Sequence, residues 1–241
     1  MLIAVRESMT QRRGPKLPYD AEVEWLGTTA RGAIINTGVR AVPQTRIETR
    51  FYVADRTTSW QSVFGGDQNT DGSIPGATLN CSLYRNGSGR FAMATNYANT
   101  GNWISAPGYP VWDVGWYDFV LSLDKGFAVL NGKEGYFTAP TSGRGRYPML
   151  LFSKWRFVSA DPSFDWIKAA NTSGAYCKFI GRVAYFRVYK SDVLVLDLTP
   201  VRKAGVGYMY DRVSGLLLGN VGTGAFVYGT DVAGGGGGIN V

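Results

Sequence analysis

The sequence predicts an all-β sandwich of two antiparallel sheets, and three observations carry that expectation. Short runs alternate apolar and polar residues with period 2, as in Arg46–Val53, where Ile47, Thr49, Phe51 and Val53 alternate with Arg46, Glu48, Arg50 and Tyr52. Thirty-two glycines and ten prolines punctuate the chain at the close intervals that tight turns need. The 241 residues are 45% hydrophobic and 14% aromatic, which is ample for a core and excludes disorder for the bulk of the chain. No unit of about 20–50 residues recurs, so a solenoid or propeller is disfavoured.

In chain order, residues 1–16 are polar and basic, with Arg6, Arg12, Arg13 and Lys16 against Glu7. They are expected to form an arm whose cations dock on an acidic partner surface; a flexible solubilising terminus is the plainer alternative. Val23–Leu26 and Ala33–Asn36 are short strands leading into Arg46–Val53, where charges of alternating sign make one face wet. Residues 55–76 form a polar loop interrupted by Ser62–Phe64. Leu79–Tyr84 and Phe91–Thr95 make a hairpin around Asn86-Gly87-Ser88-Gly89. Residues 96–113 are an insertion rich in Asn, Gly, Pro and Trp. Phe119–Leu123 and Phe127–Leu130 form a second hairpin across Asp124-Lys125-Gly126, with a third turn at Asn131-Gly132. Met149–Ser153 is a buried strand, and residues 154–176 form a long loop with a helical turn or two at Ser163–Ala170.

The last quarter is the most legible. Arg182–Tyr189 alternates, with Ala184, Phe186 and Val188 on one side and Val183, Tyr185, Arg187 and Tyr189 on the other. Lys190-Ser191-Asp192 is a polar turn and Val193–Leu198 its hairpin partner. Pro200 is expected to end that strand, because proline has no N–H to give a ladder. Tyr208–Tyr210 is a third strand, closed by the turn at Asp211–Gly215. Gly219–Gly224 precedes the last strand, Ala225–Tyr228, and the glycines of 233–241 form a tail. The total of roughly twelve strands suits two packed sheets.

Leu196–Val201, Tyr210–Gly215, Asn220–Phe226 and Gly229–Val232 resemble the C-terminal signature of the laminin-G-like, concanavalin A-like jelly-roll domains of phage and gut-bacterial surface proteins. That signature reads "lVrDf.Pv", "G.yD.vsG....N.GtG.F..G.DV". The family's opening, "LP..y..veYleStGtqyIdTGi", is matched by Leu17-Pro18-Tyr19, Val23–Thr29 and Ile35–Val39. The resemblance implies one concanavalin A-like jelly roll over residues 17–232 with long rim loops. It also implies a non-enzymatic virion component, such as a head fibre, decoration or tail-adhesion module. A bacterial surface or secreted carbohydrate-binding module is the alternative. Partners would be other virion proteins, further copies of the chain in a homo-oligomer, or host-surface glycans.

The composition closes off much chemistry. There is no histidine, which removes Ser-His-acid triads, Cys-His pairs and histidine zinc sites. Glycoside hydrolases sharing this fold carry E-x-D-x-x-E on one strand, and none of Glu7, Glu22, Glu24, Glu48 or Glu134 begins that pattern. Glu22 and Glu24 share a strand face and read as surface residues. Net charge is +7, but no nucleic-acid motif accompanies the basic arm. No apolar run is long enough to span a membrane, and the first sixteen residues lack a core of signal-peptide length, so Sec export is not expected. A virion assembled in the host cytoplasm is the expected location, with a bacterial surface the alternative. Cys81 and Cys177 can pair only if their strands are neighbours; reduced, buried thiols are the expectation.

Two ligand patterns remain. Asp67, Asn69 and Asp71 supply the first half of a calcium loop, D-x-N-x-D-G. Its second half fails at Pro75 and at Thr78, which replaces the bidentate Glu. A plain polar loop is the ordinary reading and calcium is the one cofactor offered. Trp60, Trp103, Trp112, Trp155 and Trp166 lie in the long loops among Asn96, Asn99 and Asn102, a mixture suited to stacking sugar rings and binding their hydroxyls. Large loops also need small cores of their own, which tryptophan supplies. Trp25 and Trp116 border strands and are expected to pack.

Overall fold

A computed structural model describes residues 17–30, 32–58, 61–66, 79, 81–94, 111–145, 147–155, 175–176 and 179–233. They form a two-sheet antiparallel jelly-roll sandwich. The large sheet has 11 strands. Its spine runs β10 (Lys133–Tyr136), β9 (Phe127–Leu130), β8 (Gly115–Ser122), β4 (Thr45–Val53), β14 (Gly181–Lys190), β15 (Val193–Lys203), β16 (Val206–Asp211) and β17 (Leu217–Leu218). Three short strands flank it: β1 (Ala21–Glu22) beside β15, β2 (Leu26–Thr28) beside β14, and β18 (Val227–Tyr228) beside β2. The second sheet orders β3 (Ile35–Asn36), β11 (Leu150–Leu151), β5 (Ser62–Gly65), β6 (Ser82–Arg85) and β7 (Phe91–Ala94). A separate pair joins β12 (Lys154–Trp155) to β13 (Ala175–Tyr176).

The core fills the space between the two sheets. Ile47, Phe51, Val53, Phe119, Leu121, Val183, Phe186 and Val188 point inward from the large sheet and are fully or almost fully buried. Phe64 of β5 meets Phe186 at 5.4 Å and Phe119 at 6.1 Å between ring centroids, and Phe51 meets Phe91 of β7 at 6.1 Å. These aromatic contacts lock one sheet over the other.

Two expectations from sequence are corrected. β14 does not alternate strictly: Val183 faces Phe51 and Tyr185 faces Arg50, so Ala184 is an extra residue in a β-bulge. Val183, Phe186 and Val188 are therefore the buried set, and Tyr185 joins Arg182, Arg187 and Tyr189 on the outer face. The Thr49 hydroxyl donates to the Tyr185 carbonyl at 2.7 Å, so the interrupted ladder leaves that part-buried oxygen satisfied. Pro200 does not end β15, which continues to Lys203. The Pro200 carbonyl accepts from Val23 N at 3.0 Å, so the peptide edge that lacks a donor faces the end of β1 and leaves the pairing with β16 intact. The turn expected in residues 163–170 lies outside the described residues.

The C-terminal signature is a set of stitches. Asp211, buried, accepts from the backbone N–H groups of Asp197, Val213 and Ser214 and from the Ser214 hydroxyl, and so fixes the turn that Gly215 completes. Asn220 Oδ1 accepts from Ile34 N and Gly222 N at 2.9 and 2.8 Å, while its amide donates to Gly224 O. A Cβ on Gly222 would lie 1.8 Å from the Gly32 carbonyl oxygen, so only glycine lets the two segments touch. Asp231 pairs with Arg202 at 2.8 Å, and Glu22 receives Arg212 at 2.8 Å and the Tyr19 hydroxyl at 2.9 Å.

Replacing Asp211 by Ala leaves three backbone donors without their acceptor and should cost about 2–3 kcal/mol. Equilibrium unfolding in urea checks this; an unchanged midpoint would mean that the turn holds without its carboxylate.

Three groups carry the largest shifts and contribute to stability at the two extremes of pH. Burial pushes the Cys81 thiol, which is free and fully buried, from 9.0 up to about 12. Burial and the Glu22 hydrogen bond push the Tyr19 hydroxyl from 10.0 up to about 12. Burial opposes ionisation of Asp55, but hydrogen bonds from Thr58 and Thr57 outweigh it and bring the carboxyl from 3.8 down to about 2. The raised groups contribute stability that is complete below pH 9 and is lost as pH climbs toward 12. Asp55 contributes stability that is present above pH 3.8 and lost as pH falls toward 2. Urea midpoints measured across pH should thus be level between those limits and fall on both sides; a midpoint still level at pH 11 would contradict the alkaline limb.

Candidate functional site

The outer face of the large sheet gathers the side chains most suited to binding. Its geometry follows from register. Arg182 of β14, Tyr52 of β4 and Trp116 of β8 stand opposite one another on three neighbouring strands. Arg182 is also opposite Gly27 of β2, and Trp25 lies just before that strand. Strands about 4.8 Å apart thus carry a row of one cation and three rings across the sheet.

The row is packed against itself. The Arg182 guanidinium lies 4.2 Å from the Trp25 ring centroid and 4.9 Å from that of Tyr52. Tyr52 and Trp116 are 5.4 Å apart and tilted by 58°, with Arg50 5.6 Å over Trp116. Two glycines make room for this. A Cβ on Gly27 would come 3.0 Å from Cγ of Arg182, and one on Gly229 would come 2.7 Å from the indole nitrogen of Trp25. Trp25, Tyr52 and Trp116 remain half-exposed.

Further along the same face, charges are paired. Arg46 donates to Glu48 at 2.7 Å and its guanidinium lies 3.9 Å over Tyr189. Arg187 donates to Asp197 at 2.9 Å and lies 5.0 Å over Tyr185. The Asp197 hydrogen bond raises the pKa of Arg187 further. Arg50 and Asp118 face each other at 3.8 Å. Burial, followed by nearby carboxylates, raises the hydroxyls of Tyr185 and Tyr189 above their ordinary value, so both stay neutral donors.

Of the loop tryptophans, Trp112 is a correction. It is 1% exposed, its ring packs on Phe91 at 4.7 Å and Phe179 at 5.9 Å, and its indole N–H donates to the Asp55 carbonyl. It belongs to the core and presents no face to a sugar. Trp155 falls in β12, and only its backbone is described. Trp60, Asn96, Asn99, Asn102, Trp103 and Trp166 lie outside the described residues, as do Asp67, Asn69 and Asp71, the arm cations Arg6, Arg12, Arg13 and Lys16, and Cys177. Among the described residues no cluster of carboxylates, thiols or imidazoles could hold a metal. Trp25 and Trp116, expected to pack, do so on the outer face, Trp25 against Arg182 and Trp116 against Tyr52, and stay half-buried there. The signal that could have found them is strand phase: Trp116 continues the outward alternation of β8, which begins at Gly115 rather than Phe119.

Neither a family model nor a curated protein sequence matches the chain. Among solved structures, it is similar to domains LG4-5 of the mouse laminin alpha1 chain, at 13% identity over 73% of this chain with a TM-score of 0.43; the match spans 44% of that laminin structure's length. It is also similar to the native heptameric SAP-like pentraxin of Limulus polyphemus, at 14% identity over 88% of this chain and 96% of the pentraxin, with a TM-score of 0.47.

Proposed function

We propose that this protein is a non-catalytic carbohydrate-binding adhesion module that holds a glycan along the outer face of its large sheet. One observation carries the reading: Trp25, Arg182, Tyr52 and Trp116 form a pre-packed row of half-exposed rings and a cation across four adjacent strands. Aromatic faces receive the C–H faces of sugar rings. Asp118, two residues along β8 from Trp116 and exposed, supplies an acceptor for hydroxyl groups. Because the row is held by the sheet and by its own cation–π contacts, little ordering accompanies binding.

A hydrolytic role has no support in the described carboxylates. Glu22 is occupied by Arg212 and Tyr19, and Glu48 by Arg46 and Tyr189. The setting suggested by the C-terminal signature is a phage virion, with a bacterial surface as the alternative. Either displays many copies, and a weak single site then gains strength through avidity.

A glycan array probed with multivalently displayed protein tests the reading. Trp116→Ala and Tyr52→Ala should each weaken binding about tenfold, while Val213→Ser, in the Asp211–Gly215 turn, should leave it unchanged. No bound glycan would overturn the proposal. Binding that survives both substitutions but falls with Trp103→Ala would move the site to the loop rim.

A further inference from the structure

Arg182 differs from its neighbours on the face. Arg46, Arg50 and Arg187 are each matched by a carboxylate, Glu48, Asp118 and Asp197 respectively. Among the described residues Arg182 has no ion-pair partner, and its N–H groups make no hydrogen bond. It is nevertheless held in place, with rings at 4.2 and 4.9 Å. A guanidinium stacked on aromatic rings keeps its donor edge free, and its planar fork matches a carboxylate with two parallel hydrogen bonds.

We propose that Arg182 is the carboxylate receptor of this face, and that the glycan bound there carries isolated carboxylates among neutral sugars, as uronate and sialate oligosaccharides do. This rests on the glycan-binding reading above and names the ligand class of that same site. The charge pattern favours a sparsely charged chain over a dense polyanion. Along the face three carboxylates are each matched by an arginine and one cation is left unspent; of the carboxylates, Asp118 is 59% exposed. A strand with a phosphate at every unit would meet those carboxylates along its length, whereas a single carboxylate seats on Arg182 and leaves neighbouring hydroxyls to donate to Asp118. The chain's net charge of +7 adds attraction for an anionic glycan at long range.

The experiment uses the full chain, displayed multivalently, against oligogalacturonate and sialyllactose, each beside its own methyl ester, with a single-stranded oligodeoxynucleotide as comparison. The wild type should prefer the free acids by about tenfold, because the bonds gained are charge-assisted, and added salt should shrink that preference. Arg182→Gln should bring the acid-to-ester ratio close to one while the esters still bind. Arg182→Lys should keep part of the preference, retaining the charge without the fork. Trp116→Ala should weaken acid and ester alike. If the wild type binds acid and ester equally, or if Arg182→Gln leaves the ratio unchanged, the carboxylate receptor is refuted while glycan binding stands. Failure to bind either form refutes the carboxylate receptor, and refutes glycan binding as well when the array also shows no bound glycan. Tighter binding of the oligonucleotide than of any acidic sugar also overturns the assignment and makes the ligand a nucleic acid.

Discussion

The antiparallel pairing of β4 with β14, bulged at Ala184, is the constraint on which the rest of the molecule depends. All nine residues of β4 pair with β14 and eight of them, Arg46–Val53, also with β8, so its register is passed to most of the large sheet. A slip of one residue there would exchange the two faces. The bulge performs that exchange locally and once. It keeps Val183, Phe186 and Val188 in the core while adding Tyr185 to the outer face that already carries Arg182, Arg187 and Tyr189. Both the packing against Phe64 and the aromatic row outside follow from that single extra residue.

The fold was legible in the sequence because its determinants are local. Alternation in β4, the Asn131-Gly132 turn with both residues at positive φ, and the Asp211–Gly215 turn all announce themselves within a few positions. The C-terminal signature was legible for a related reason. Asn220, Gly222 and Asp231 each satisfy a demand that few residue types meet: backbone mimicry, absence of a side chain, and a carboxylate within reach of Arg202. What misled was treating each residue's rule in isolation. Proline taken alone signals a stop, although a strand with different partners on its two edges can place the missing donor where no ladder bond is needed. Strict alternation was applied through β14, although a bulge cannot be seen when every residue in the run is apolar, aromatic or long enough to lie on either face.

The candidate site was much less legible. Tryptophans in polar, glycine-rich loops look exposed, and tryptophans beside strands look buried, yet Trp112 is in the core and Trp25 and Trp116 are half-buried on the outer face. The reason is that a ring's exposure is set by what crosses it, not by the polarity of its sequence neighbours. Trp112 lies in the loop three residues before β8 and is trapped under Phe91 and Phe179, which come from segments far away in sequence. Trp25 is crossed by Arg182, some 150 residues later, and the two meet because β2 pairs with β14. Neither contact leaves a mark at short range.

The stitches and the site share residues at one place. Gly229 belongs to the C-terminal signature, where its N–H donates to the Trp25 carbonyl at 2.9 Å and joins the last strand to β2. The same glycine leaves the space that the Trp25 indole occupies. Gly27, on the other side of β2, pairs with Val227 of β18 and with Arg182 of β14, and its bare Cα lets the arginine stem cross the strand toward Trp25. A motif that serves to close the sandwich therefore also sets how closely Trp25 and Arg182 can stack. The consequence is that a signature specific for fold carries functional information indirectly: it says nothing about which side chains occupy the row, but it requires that β2, β14 and β18 meet at a point where the backbone leaves room for a ring and a guanidinium to lie face to face.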